Sequence, residues 1–199
     1  MSGAPARLIL FTPPLEGADA GDCARQLAEA ARAADVASVV LRLARGCEDA
    51  KLAPLMRFAE SRDVALLVAG DVDRAARAGF DGVHVVEGGE TLTAAIRKLQ
   101  PGRIVGVGGL DTRDEAMAAG EAGADYVMFG ENAAPRRAAE LIAWWAEVME
   151  PPCAGYARTL EELEEYSEAG ADFLALAPEL WRGPDGVGAA WRRLSERAA

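Results

Sequence analysis

A single α/β domain closed into a (β/α)8 barrel, the TIM-barrel architecture, is the fold this sequence predicts, and three observations predict it. The first is a phrase that occurs four times: AADVASVVL at 33–41, AGFDGVHV at 78–85, AGADYVMF at 122–129 and AGADFLAL at 169–176. In each copy an Ala-rich helix ends at Gly or Ala, an acidic residue turns the corner, and an apolar run too short for a helix follows. The second is spacing. The acidic residues Asp35, Asp81, Asp125 and Asp172 stand 46, 44 and 47 residues apart, about twice the length of one compact strand-plus-helix unit, so four double units give eight strands. The third is length: 199 residues, 51% of them hydrophobic, bury a large core and sit at the lower end for such a barrel, which requires short loops. The regular repeat without a long crossover favours closure over an open doubly wound sheet. No linker interrupts it, so residues 1–199 read as one domain.

The elements follow in order. Strands are expected near 7–12, 38–43, 64–69, 82–86, 103–107, 125–129, 152–156 and 172–177, each a continuous apolar run of the kind buried on both faces. Helices fill the intervals at 21–34, 48–61, 71–79, 90–99, 112–122, 134–149, 159–169 and 186–198. Thr112 with Glu115, and Thr159 with Glu162, have the spacing of a capping box and mark two helix starts.

A barrel of this type places its ligand site on the loops that follow the strands. Those segments are 12–17, 42–46, 69–71, 86–90, 106–111, 130–132, 155–158 and 177–181. Within them Arg42 offers a cation, Gly106, Gly108, Gly109 and Gly155 offer tight turns with exposed backbone N–H groups, and Asp71, Glu87 and Asp111 offer carboxylates.

Composition excludes several classes. A formal net charge of −11 disfavours nucleic acid, although 21 Lys and Arg leave room for a local site that binds a small phosphorylated metabolite. No apolar run approaches the roughly 18 residues that span a bilayer, and no basic segment with a long apolar stretch opens the chain, so no membrane partner and a cytoplasmic location are expected. The three cysteines, Cys23, Cys47 and Cys153, lack CxxC spacing and read as reduced thiols.

The segments Asp81-Gly82-Val83-His84-Val85, Ile104-Val105-Gly106-Val107 and Gly123-Ala124-Asp125-Tyr126-Val127-Met128-Phe129-Gly130, with Val72-Asp73-Arg74-Ala75 after strand 3, resemble the thiamine phosphate synthase/TenI superfamily in order and spacing. The resemblance covers nearly the whole chain. It implies a transferase of thiamine biosynthesis that joins hydroxymethylpyrimidine pyrophosphate to a thiazole phosphate, with Mg2+ on the pyrophosphate and cations on the leaving group. Against that pattern the family's Gln-x-Arg-x-Lys after strand 2 reads Val40-Leu41-Arg42-Leu43-Ala44, keeping only Arg42. The Asn-Asp pair after strand 3 reads Ala69-Gly70, and Gly-Gln-Glu-Asp after strand 4 reads Val86-Glu87-Gly88-Gly89. A Ser after strand 5 becomes Gly108, Thr-x-Thr-Lys after strand 6 becomes Glu131-Asn132-Ala133-Ala134, and Gly-Gly after strand 7 becomes Gly155-Tyr156. The His that the thiazole tautomerase branch uses after strand 5 is replaced by Leu110-Asp111. Two functions therefore follow: a divergent synthase with most of the family's catalytic residues missing, or a non-catalytic barrel that binds a phosphorylated metabolite.

Each candidate residue has two readings. His84, the only histidine, is either a packed, hydrogen-bonded residue of its strand or a ligand contact with a catalytic part. Arg42 either binds substrate phosphate and serves catalysis, or forms a structural ion pair with a carboxylate such as Asp71. The glycines 106, 108, 109 and 155 either cradle phosphate or simply allow tight turns. Asp71, Glu87 and Asp111 either hold a metal or act as a base, or are exposed carboxylates. Trp144 and Trp145 are expected to pack outward or at a homo-oligomer contact, and Cys47 and Cys153 lack a partner base for nucleophilic work.

Overall fold

Eight short parallel strands form because each apolar run serves two cores at once. In the computed structural model, which describes residues 6–183 and 186–198, the strands are β1 (Arg7–Phe11), β2 (Val36–Leu41), β3 (Ala65–Ala69), β4 (Gly82–Val85), β5 (Ile104–Val107), β6 (Tyr126–Phe129), β7 (Cys153–Ala157) and β8 (Phe173–Leu176). They pair in sequence order, and β8 returns to pair in parallel with β1, closing the barrel. Alternate residues along each strand point to opposite sides. Ile9, Phe11, Val40, Leu67, Tyr126, Met128 and Tyr156 fill the interior, while Leu8, Leu10, Val39, Leu41, Val83 and Val85 meet the surrounding helices.

Those helices are α1 (Ala20–Ala33), α2 (Ala53–Arg62), α3 (Val72–Arg77), α4 (Gly89–Leu99), α5 (Arg113–Ala122), α6 (Pro135–Val148), α7 (Leu160–Glu168), a single turn α8 (Pro178–Trp181) and α9 (Gly186–Ala198). A 3-10 turn, Asp49–Leu52, leads into α2. The capping box at Thr112 and Glu115 forms as the spacing predicts. At Thr159 only half of it does: the Thr159 hydroxyl accepts from the Glu162 N–H, but the Glu162 carboxylate reaches past Thr159 to the Arg158 N–H at 2.6 Å.

The repeated acidic residue has a structural purpose. Asp81, Asp125 and Asp172 each stand just ahead of an even-numbered strand, and each carboxylate accepts the backbone N–H of Leu66, Val105 or Cys153 at the neighbouring odd-numbered strand, at 2.7, 2.7 and 2.8 Å. The first copy differs. Leu8 N–H is taken by the Asp35 carbonyl, so the Asp35 carboxylate pairs instead with the Arg7 guanidinium at 3.1 Å. The four-fold phrase is thus a clamp between paired strands at the end of the barrel opposite the strand C-termini.

Two expectations need correction. Trp145 does not face outward: it is buried, its indole Nε1 donates to the Pro151 carbonyl at 2.7 Å, and its ring meets Phe129 edge-on. Only Trp144 lies near the surface, under the Arg113 guanidinium. Segment 177–181 is a helical turn rather than a loop, and Trp181 folds back so that its Nε1 donates to the Phe11 carbonyl at 2.8 Å. All three cysteines are buried and free, and burial pushes the Cys23 thiol up to about 11 and the Cys153 thiol up to about 12, which keeps both un-ionised.

Candidate active site at the barrel mouth

The β-strand C-termini open on a cavity of about 850 Å3 whose wall includes Arg42, Glu87, Gly109, Glu131, Tyr156 and Arg158. Its floor begins inside the barrel. His84, Gly106 and Tyr126 are register neighbours across β4, β5 and β6. The central glycine lets the Tyr126 ring lie across β5, because a Cβ on Gly106 would sit 2.0 Å from that ring. Tyr126 thereby brings its hydroxyl to 2.8 Å from His84 Nδ1, with the two rings stacked.

The other ring nitrogen carries the arrangement up to the cavity. His84 Nε2 lies 3.1 Å from Glu131 Oε2, and the Gly109 N–H donates to that same oxygen at 3.1 Å. Gly108 leaves the space the carboxylate occupies, since a Cβ there would fall 1.6 Å from Oε2 and 2.9 Å from His84 Nε2. Gly109 has φ +66° and passes under the Val86 carbonyl, so it requires glycine on both counts. The Glu131 side chain is 13% exposed. Burial alone would raise its pKa, but the charge and hydrogen bond of His84, the Gly109 N–H and the nearby Arg42 outweigh that and hold the carboxyl below its ordinary value. Burial, with the charges of Glu131 and Asp125, pushes the Tyr126 phenol well above its usual range, so Tyr126 stays a neutral hydroxyl.

A lowered folded-state pKa means that Glu131 stabilises the fold above the ordinary carboxylate value of 4.5 and loses that contribution as pH falls through its folded value. Melts of the wild type and Glu131→Gln between pH 3 and 7 are expected to show a wild-type advantage at neutral pH that shrinks below about pH 4.5. A difference that widens with acid would refute this sign.

Two cations share the cavity wall with Glu131. Arg42 follows β2 directly; its N–H donates to the Thr12 hydroxyl at 3.0 Å, its Nη2 donates to the Tyr156 hydroxyl at 2.6 Å, and its guanidinium lies over the Phe11 ring at 5.2 Å. Arg158 follows β7, lies over the Tyr156 ring at 4.9 Å, and donates to the Gly130 and Glu131 carbonyls at 2.8 and 2.5 Å. Neither forms an ion pair among the described residues. The ion pair of Arg42 with Asp71 does not form, because Asp71 caps α3 by accepting the Arg74 N–H at 2.8 Å.

The sequence candidates therefore divide. Arg42, Glu87 and Gly109 reach the cavity, and Gly108 lies directly beneath its carboxylate. His84 is fully buried, with both ring nitrogens engaged by protein groups, so it supports Glu131 from below. Gly106 and Gly155 face side chains instead of the cavity: Gly155 lies against Tyr166 of α7, whose Cβ would be 2.7 Å from an added methyl. Asp71 is committed to its cap, and Glu87 is exposed on the loop after β4. Sequence reasoning missed Glu131, Tyr126, Tyr156 and Arg158. Arg158 obeys the positional rule that found Arg42, a cation directly after a strand, and the same rule applied to β7 would have found it. Nothing local distinguishes Glu131 among 32 acidic residues.

Comparison with known proteins agrees with the fold. Residues 9–180 match the family model described as thiamine monophosphate synthase. A protein of Rhodospirillum centenum named thiamine-phosphate synthase is 41% identical over 195 residues, covering 92% of this chain and 93% of its own. A protein of the same name from Hyphomonas neptunium is 34% identical over 94% of this chain and 90% of its own. Among solved structures, thiamine phosphate pyrophosphorylase from Pyrococcus furiosus shares the fold with a TM-score of 0.76 at 18% identity, covering 97% of this chain and 96% of that one.

Proposed function

The chain belongs to the thiamine monophosphate synthase family, and from that premise we propose that it joins hydroxymethylpyrimidine pyrophosphate to a thiazole phosphate in the barrel-mouth cavity. In that reaction the bond between the pyrimidine methylene carbon and the pyrophosphate oxygen breaks, the pyrophosphate leaves with the electron pair, and the thiazole nitrogen forms the new bond to carbon. The observation that carries the reading is the convergence of Arg42 and Arg158 on Tyr156 with no carboxylate among the described residues paired to either. Two guanidiniums fixed in advance stabilise negative charge as it develops on a leaving group, and their planar donors match phosphate oxygens. A cavity of about 850 Å3 accommodates two small heterocycles.

The residues present do not build a magnesium site. Asp71 is used as a helix cap, Glu87 stands alone on its loop, and no group of three His, Cys, Asp or Glu among the described residues is placed to hold a metal. The same observation favours a second reading, in which the cavity binds a phosphorylated metabolite without turnover.

One experiment separates the readings. The purified protein is incubated with both substrates, with and without magnesium chloride, while thiamine phosphate is quantified and melts are recorded with each substrate alone. The synthase reading expects thermal stabilisation by both substrates together with product formation. Stabilisation without product leaves binding alone, and neither stabilisation nor product rejects both.

A further inference from the structure

Resting on the reading of the barrel mouth as a phosphate-binding cavity, we infer that Glu131 sets its specificity, selecting ligands that carry a positively charged or N–H-donating nitrogen as well as a phosphate. A cavity built only to hold phosphate gains nothing from a fixed negative charge beside its arginines. Like charge repels the ligand, and a buried carboxylate is costly unless something compensates it. Here the carboxylate is nevertheless held from three directions: His84 Nε2 and the Gly109 N–H both meet Oε2, and the missing side chain of Gly108 leaves the volume it fills. His84 is in turn held by Tyr126 across Gly106. Four elements of the barrel thus converge to keep one carboxylate in place.

Both bonds from the protein go to Oε2. Glu131 Oε1 receives no hydrogen bond from the described residues, and the only buried side-chain polar atom among them left without a partner is the Tyr166 hydroxyl, so Oε1 is turned toward the open cavity. A carboxylate oxygen in that position accepts from an amino group, a protonated ring nitrogen or an amidine-like edge. With Arg42 and Arg158 on the phosphate, the cavity reads both ends of a ligand of mixed charge. It disfavours a bare anion, which meets Glu131 with nothing to offer it.

Calorimetric titration with two probes tests this: inorganic pyrophosphate, which has no nitrogen, and thiamine phosphate, which carries an amino group and a ring cation. Glu131→Gln is expected to weaken thiamine phosphate by on the order of tenfold or more while leaving pyrophosphate unchanged or tighter. Glu131→Asp, which keeps the charge, is expected to retain more of the preference than the Gln variant. Should the Gln variant not fold, the Asp variant carries the test alone, because withdrawing the carboxylate by one methylene is expected to weaken thiamine phosphate selectively. If the wild type binds both probes and the variants shift both alike, the inference falls and the phosphate-binding reading stands. If the wild type binds neither probe, that reading falls and takes this inference with it.

Discussion

Gly106→Ala is expected to lower the melting temperature by on the order of 10 °C, an estimate from overpacking at ~1–3 kcal/mol plus a broken buried hydrogen bond at ~1–3 kcal/mol, each kcal/mol shifting a domain of this size by about 2–4 °C. The new methyl would lie 2.0 Å from one carbon of the Tyr126 ring and 2.5 Å from its hydroxyl oxygen. Tyr126 is 6% exposed and confined inside a closed barrel, so the ring has no free volume into which to retreat. If the ring tilts, its hydroxyl leaves His84, and His84 in turn loses its alignment toward Glu131. Loss of stability is therefore accompanied by loss of the acidic pH dependence assigned to Glu131. If Gly106 were instead a phosphate cradle, the Ala protein would melt with the wild type and lose only ligand affinity. Gly21→Ala on α1, where a Cβ meets nothing within 4 Å, is the control and is expected to be neutral or slightly stabilising. Calorimetric melts of the three proteins decide between the two outcomes.

The barrel was legible because its signals are periodic. Asp81, Asp125 and Asp172 recur at similar intervals because the same backbone N–H must be satisfied at each strand pair, and a repeated physical need leaves a repeated residue. The thiol readings follow from spacing, since three scattered cysteines without CxxC spacing have no partner to pair with, and all three are free. The site is less legible because its contacts join strands that are adjacent only after closure. In runs buried on both faces, such as Ile104–Val107, hydrophobicity does not tell inside from outside, so whether Gly106 presents N–H groups to a ligand or makes room for an aromatic ring depends on what β6 places beside it. Residues 84, 106 and 126 lie in three separate segments, and only register makes them one layer. The replacement of the family's Ser by Gly108 likewise reads as a loss in one dimension. In three, it is the space that the Glu131 carboxylate fills.

Arg42→Ala and Arg158→Ala are each expected to weaken inorganic pyrophosphate by roughly 10- to 150-fold, the equivalent of losing ~1.5–3 kcal/mol of charge-assisted hydrogen bonding. The consequences for the fold differ between them. Arg42 donates to the Tyr156 hydroxyl, which is buried, so truncation leaves that oxygen short of a donor and lowers stability by about 1 kcal/mol. Arg158 is exposed and its bonds go to the Gly130 and Glu131 carbonyls, so its removal is expected to act chiefly by loosening the loop that carries Glu131. Because both guanidiniums rest against Tyr156, their effects on binding are coupled, and the double variant is expected to lose less than the product of the two single losses. Arg42→Lys tests geometry against charge. An ammonium keeps the charge but not the planar fork or the stacking on Phe11, and affinity is expected to recover only in part. The measurement is a titration of each variant with pyrophosphate beside its melt without ligand. An Arg42→Ala protein that melts lower yet binds pyrophosphate as the wild type does would make Arg42 a brace for Tyr156 and leave Arg158 as the cavity's phosphate-binding cation.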